Sequence, residues 1–94
     1  NDKYPCVPGH KLFIPKENNS HFIGRSYGMA YDYGNEKIKK GEIDGYNVGM
    51  NIGLCAGQTI MWPHIHFIPR HKNDSEEIGG MRHAHPSADH KKYY

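Results

Sequence analysis

The chain has 94 residues, enough for one small domain with an adequate but not generous hydrophobic core. Its 12 basic and 10 acidic side chains leave a net charge of only +2, so the composition does not indicate a duplex nucleic acid as partner. No apolar run approaches the ~20 residues that cross a bilayer, and Cys6 and Cys55 form no C-x-x-C pair; we therefore expect no membrane partner and free thiols in a reducing cytoplasm.

A short strand from His10 to Ile14 is the first predicted element; it follows a loop punctuated by proline and glycine, and Pro15 ends it. A helix over much of Phe22 to Lys40 comes next. Residues suited to cap its N-terminus stand just before it: Asn18, Asn19 and Ser20. A stripe at helical spacing is expected to pack on the sheet, and its members are Tyr27, Ala30, Tyr31, Gly34 and Ile38.

The second predicted strand runs from Tyr46 to Ile52, after a turn at Asp44-Gly45. Successive side chains of a strand point to opposite faces, so its apolar residues share one face. The other face carries small and polar residues: Asn47, Gly49, Asn51 and Gly53. Such a face allows a ligand to approach the backbone closely.

A tight connection at 54–57 leads out of this strand and ends at Gly57. Its backbone amides can point at an anion, and Gly57 avoids a side chain that would block the approach. Gln58 and Thr59 add neutral hydrogen-bond donors. The alternative is that all three are polar loop residues without a ligand.

The next predicted strand places Trp62, His64 and His66 on one face. Its other face, directed to the core, consists of Pro63, Ile65 and Phe67. Residues two apart on a strand lie roughly 6 to 7 Å apart, so both imidazoles can touch one phosphoanhydride. A His-x-His pair is weak evidence by itself, because the chain contains eight histidines.

Five segments nevertheless occur in an informative order: Asp2 to His10, Leu12 to Lys16, Asp44 to Asn51, Gly57 to Arg70, and Gly79 to Arg82. Their residue types and spacing resemble the HIT (histidine triad) family of nucleotide hydrolases and transferases. The Ile-Pro-Arg and Gly-Gly-Met-Arg pieces are most similar to the diadenosine polyphosphate hydrolases of that family. Only 17–43 contains no clear motif.

The resemblance implies an α+β fold, a HIT-like antiparallel sheet with a helix packed on one face. It also implies a homodimer whose sheet is continuous between subunits. The usual N-terminal hairpin and helix of the family would precede Asn1, so we expect residues 1–94 to be a single HIT-like domain that is incomplete at its N-terminus. No cofactor is implied, and a structural zinc is not expected because the N-terminal cysteine pair that holds it in some relatives is missing.

The resemblance also implies roles for individual residues. His64 matches the nucleophile of the family, which forms a covalent nucleotidyl-histidine. His66 matches the third histidine, which donates to a phosphate oxygen or protonates the leaving group. Trp62 stands where the family has its first histidine, so the triad is not complete.

Other residues match positions that bind the substrate in the family. Asp2 matches the position that binds the ribose hydroxyls, and Asn51 matches one that contacts a phosphate or ribose. The phosphate-binding turn is matched by Gly57, Gln58 and Thr59. Asp2 as a solvated loop residue and Asn51 as a turn residue remain the alternatives. His10 either supports the active-site residues without contacting the substrate, or is simply a histidine at a strand edge. Arg82 either reaches a distal phosphate of the substrate or only pairs with groups on the protein surface.

These matches predict an enzyme that hydrolyses or transfers a nucleoside monophosphate from dinucleoside polyphosphates or nucleoside phosphoramidates. The alternative is a nucleotide-binding regulatory module whose catalysis has decayed. A histidine-rich metal binder is a third interpretation, but its histidines close no recognisable four-ligand zinc site. They are His64, His66, His71, His83, His85 and His90.

Overall fold

The computed structural model describes residues 7–74 and 80–87. They form three strands and one long helix: β1 (Lys11–Phe13), α1 (Ser20–Lys39), β2 (Gly45–Gly49) and β3 (Ile65–Arg70). Two short 3-10 turns lie at Leu54–Ala56 and Met81–Ala84. The strands are antiparallel in the order β1-β3-β2, and α1 contacts all three, which confirms the predicted α+β arrangement of a helix on one face of a sheet. Within these residues, no helix combines the length and apolar character needed to span a membrane.

The central strand β3 is paired on both sides, with Leu12 of β1 and Gly49 of β2 both opposite His66. β2 ends at Gly49, three residues before the predicted end, and Ile52 is exposed. The reason lies in the partner strand. β3 begins only at Ile65, and the preceding Pro63 has no N–H with which to extend the ladder.

Asn19 begins the helix, because its side chain accepts a hydrogen bond from the Phe22 backbone N–H at 2.9 Å. The helix covers a core centred on Ala30, Ile43 and Phe67. Aromatic rings complete this core around Phe67, with Tyr46 stacked on it and Phe13 and Tyr33 edge-on. Such offset and edge contacts are the favoured geometries for aromatic pairs.

The predicted apolar stripe of the helix is only partly correct. Ala30 and Gly34 are buried, but Tyr31 and Ile38 are 62% and 40% exposed, and Tyr33 packs on the core instead. The contact with the sheet determines this rotation. A Cβ at Gly34 would lie 2.5 Å from the ring of Tyr46, so the helix approaches β2 closely where it has no side chain.

The two faces of the sheet are therefore different. Alternate residues of β3, including Ile65 and Phe67, are buried beneath the helix. We call the opposite side the open face; it carries His10, Leu12, Asn47, Gly49, His66 and Ile68. This alternation within 63–70 agrees with the prediction from the sequence.

Candidate active site

His66 lies at the middle of the open face and has two other histidines as neighbours, His10 and His64. Its Nδ1 lies 3.0 Å from Nε2 of His10, which is only 6% exposed. The His64 ring lies on the other side, with its centroid 4.9 Å from that of His66. The structure thus brings together three imidazoles, two of which come from one strand motif and one from the start of β1.

The orientation of His64 is set by the backbone. His64 lies just before β3, and its Nδ1 is 3.0 Å from the carbonyl oxygen of Trp62. A carbonyl oxygen only accepts hydrogen bonds, so Nδ1 of His64 is the donor and carries the proton. In the neutral ring, Nε2 then keeps its lone pair.

Trp62 is anchored beside His64 by its own side chain. The indole N–H donates to the carbonyl oxygen of Pro15 at 3.1 Å, and 47% of the residue remains exposed. The link joins the segment before β3 to the end of β1. Trp62 therefore forms hydrogen bonds with two residues: its backbone carbonyl orients His64, and its indole N–H donates to Pro15.

Gln58 holds the loop that precedes the histidines. Its side chain is buried, its Oε1 accepts from the Gly53 N–H, and its Nε2 donates to the carbonyl oxygens of Ile60 and Met61. These bonds engage both the oxygen and the nitrogen of the amide. In this conformation Gln58 fixes the shape of the loop, and its predicted contact with a phosphate stays a prediction.

Gly57 occupies a backbone conformation that favours glycine, with φ at +99°. A Cβ at this position would lie 3.6 Å from the side-chain nitrogen of Asn51, so the Asn51 amide lies directly beside the turn. Thr59 is exposed two residues later. Two of the predicted substrate-binding residues, Asn51 and Gly57, are thus next to each other, although their contact with a ligand remains a prediction.

Two cavities flank His66. One, of about 320 Å³, is called the His64 cavity here; it is lined by Leu12, Ile14, Thr59, Ile60, Trp62, Pro63, His64 and His66. The other, of about 280 Å³, is called the Asn47 cavity; it is lined by His10, Asn47, Gly49, Met50, Asn51, His66, Ile68 and Met81. His66 is the only residue common to both linings.

A charged network at the end of β3 supports the Asn47 cavity. Arg70 donates two hydrogen bonds to the carboxylate of Asp74, at 2.9 and 3.0 Å, and a third to Oδ1 of Asn47 at 2.9 Å. Together with a hydrogen bond from the His71 N–H, Arg70 lowers the pKa of Asp74 to about 2. The sequence prediction missed this use of Arg70, because nothing in the pattern of β2 shows which side chain faces Asn47.

Two predicted site residues remain, Asp2 and Arg82. Asp2 falls outside the described residues. Arg82 is exposed in the short turn Met81–Ala84. The preceding Met81 packs on the sheet, since a Cβ at Gly49 would come within 2.9 Å of its methyl carbon. This contact places the turn with Arg82 next to the Asn47 cavity.

Among the described residues, no group of three or more histidine, cysteine, aspartate or glutamate side chains is arranged to hold a metal ion. His64 and His66 approach each other, but no further residue of these types completes a ligand set with them within 7–74 and 80–87. Cys55 is exposed on the 3-10 turn before Gly57.

Several curated proteins are similar to this chain. An uncharacterised HIT-like protein of Methanocaldococcus jannaschii is 32% identical over 82% of this chain and 64% of its own length. An adenylylsulfatase of Arabidopsis thaliana is 32% identical over 78% of this chain and 41% of its own length. An asymmetrical bis(5'-nucleosyl)-tetraphosphatase of Schizosaccharomyces pombe is 30% identical over 78% and 44% respectively.

The chain therefore spans between about two fifths and two thirds of the length of these relatives. No protein-family model matches it, and no solved structure matches it at a significant level. The similarity covers about four fifths of the chain and recurs in proteins of archaea, a plant and a yeast. Together with the helix-on-sheet fold, these relationships agree with the resemblance of the sequence to the HIT family.

Proposed function

We propose that the protein is a nucleotide hydrolase or nucleotidyl transferase of the HIT type. Its substrates would be dinucleoside polyphosphates or nucleoside phosphoramidates, in the manner of the diadenosine polyphosphate hydrolases. Two of the similar proteins carry the names adenylylsulfatase and bis(5'-nucleosyl)-tetraphosphatase, which describe the hydrolysis of nucleotides. A single histidine nucleophile is compatible with both leaving groups.

The hydrogen bond between Nδ1 of His64 and the Trp62 carbonyl is the observation that carries this proposal. It fixes the tautomer in which Nε2 holds a lone pair, as a nucleophile requires. Because the bond comes from the backbone, it is preserved although the side chain at 62 is an indole. His64 also lines a cavity together with His66 and Thr59, where a phosphate would have polar neighbours.

The proposed reaction has two steps. Nε2 of His64 attacks the α-phosphorus, a P–N bond forms, and the bond from phosphorus to the leaving oxygen or nitrogen breaks. In this proposal His66, whose ring centroid lies 4.9 Å from that of His64, donates a hydrogen bond to a phosphate oxygen or a proton to the leaving group. Water then attacks the same phosphorus, which breaks the P–N bond and releases the nucleoside monophosphate and a regenerated imidazole. In transfer, another nucleophile takes the place of water.

The loop before the histidines supplies electrostatic support. Charge grows on the equatorial oxygens of phosphorus as His64 attacks, and preorganised donors stabilise it. Gly57 and Thr59 lie in the loop that Gln58 holds in shape. Asn51 lies beside Gly57 and lines the Asn47 cavity, so its amide would reach a phosphate from that side of His66. We expect these groups to contribute to turnover mainly through kcat.

The experiment is turnover of diadenosine tetraphosphate and of adenosine 5'-phosphoramidate, followed by chromatography, with His64→Ala as the test variant. His21→Ala is the matched control, since His21 is exposed on α1 and belongs to neither cavity. We expect loss of turnover only in His64→Ala, and a nucleotidyl adduct on His64 by mass spectrometry. Turnover that survives in His64→Ala would rule out this nucleophile.

One observation favours a second candidate, the nucleotide-binding module without catalysis. The resemblance of the sequence assigns Trp62 to the position of the family's first histidine, and in the structure its indole N–H donates to the carbonyl oxygen of Pro15. If adenosine monophosphate binds by calorimetry while neither substrate is turned over, this candidate is the better one. Turnover gained in Trp62→His would then identify the tryptophan as the cause.

A further inference from the structure

The lining of the His64 cavity contains two chemically different sets of residues, called its polar side and its apolar side here. Thr59, His64 and His66 provide polar groups, whereas Leu12, Ile14, Ile60 and Trp62 provide an apolar surface. Ile14 and Ile60 are 63% and 67% exposed, which leaves this apolar side open to water. A ligand that joins a charged group to an apolar ring would match both sides at once.

Trp62 is the residue of this surface whose position is best defined. Its indole N–H is bonded to the Pro15 carbonyl, so the ring is held at the cavity rather than free to rotate. Nearly half of the residue is still exposed. An immobilised and partly exposed indole can stack on a planar ring at little cost in conformational entropy.

We propose that Trp62 is a substrate-binding residue that binds a nucleobase of the substrate by stacking in the His64 cavity. The inference rests on the proposed function for the identity of the ligand, since His64 would bind the phosphate of the same nucleotide. Trp62 then contributes affinity for the base, and the imidazoles contribute affinity for the phosphate. Base–aromatic stacking tolerates every base, because each has a flat π-face.

The competing explanation for Trp62 is structural. Its ring packs against Pro15, and its backbone carbonyl orients His64. Were this its whole role, a change at position 62 would disturb the phosphate side as much as the base side. The two explanations therefore predict different effects of a change at position 62 on the affinity for a ligand that has a phosphate but no base.

The test compares the dissociation constants of adenosine 5'-monophosphate and ribose 5-phosphate by titration calorimetry, in the wild type, Trp62→Ala and Trp62→Phe. We expect Trp62→Ala to weaken the binding of adenosine 5'-monophosphate about tenfold. Trp62→Phe should weaken it only about twofold, because a phenyl ring still stacks on the base. The dissociation constant of ribose 5-phosphate should not change. Tyr31→Ala, an exposed aromatic residue on α1, is the matched control and should change neither constant.

A second readout uses the fact that Trp62 is the only tryptophan of the chain. Its fluorescence should be quenched by adenosine 5'-monophosphate and not by ribose 5-phosphate, whether or not the variants fold. Equal weakening of both ligands in Trp62→Ala, or no base-dependent quenching, would overturn the proposal. Neither ligand requires turnover, so a failure of the proposed enzymatic function would show separately, as an absence of product from diadenosine tetraphosphate.

Discussion

Nε2 of His10 lies 3.0 Å from Nδ1 of His66, although the two residues are 56 positions apart in the chain. The pairing of β1 with β3 creates this contact, since Leu12 is opposite His66 and His10 lies two residues earlier on the same face. His10 is buried, and it contacts Nδ1 of His66. The other ring nitrogen of His66, Nε2, is the atom that would contact a ligand. His10 is therefore well placed as a positioning residue for His66.

Replacement of His10 by alanine should lower kcat about tenfold and leave KM nearly unchanged, because His66 would lose its orientation and not its ring. Steady-state kinetics with diadenosine tetraphosphate would measure both constants. His10→Gln, which retains a side-chain donor and acceptor, should recover part of the rate. An equal change in both variants, or an effect on KM alone, would argue against positioning.

Gln58→Ala should destabilise the protein by about 1–3 kcal/mol, since it leaves the Gly53 N–H and the Ile60 and Met61 carbonyls without their side-chain partner. Gln58→Glu should be worse, because a carboxylate would face two carbonyl oxygens. Urea denaturation gives both free energies of unfolding. Thr59→Ala, in the exposed part of the same loop, is the control and should change stability little.

Gly34→Ala should destabilise the fold by about 1–3 kcal/mol, although alanine is the better helix former. The new Cβ would meet the Tyr46 ring, which stacks on Phe67 and whose hydroxyl donates to Asn35. Gly28→Ala is the matched control: nothing lies within 4 Å of its Cβ, so this change should stabilise the helix by about 0.5–1 kcal/mol. Thermal unfolding of the two variants should shift in opposite directions.

The stability contributed by Asp74 should depend on pH. Hydrogen bonds from Arg70 and the His71 N–H lower its pKa from the ordinary 3.8 to about 2 in the folded protein. A depressed carboxyl pKa means that the contribution is complete above about pH 5, and that it declines as the pH falls through 3.8 towards 2. Denaturant midpoints of the wild type and Asp74→Asn should therefore differ at pH 7 and converge only as the pH falls below about 2. A difference that is independent of pH would contradict this linkage.

The parts of the fold that depend on local signals were predictable from the sequence. Asn19 before the helix and the alternation around Ile65 and Phe67 determine local conformation, and both predictions are confirmed. The rotation of the helix was not predictable, because Tyr31 and Tyr33 have the same chemistry and only the close approach of Gly34 to Tyr46 decides which one is buried.

The candidate site likewise has parts that were predictable from the sequence and parts that were not. The pair His64 and His66 is visible as a spacing in the sequence, since a strand brings such residues to one face. The contact of His10 with His66 depends on the register between two strands, which no local pattern contains. The hydrogen bonds by which Gln58 closes its loop were not predictable either, because they depend on the folded path of residues 53–61; its contact with a phosphate stays a prediction.

His66 lies between Ile65 and Phe67, which are 0% and 1% exposed. The strand that presents the imidazole is thus the strand that fills the core, and it is paired on both edges at this point. Breathing motions that loosen termini and loops leave such a segment in place, and its backbone amides should exchange with solvent only when the whole domain opens. Hydrogen exchange would place residues 65–67 in the slowest class, so His66 would keep its position until cooperative unfolding.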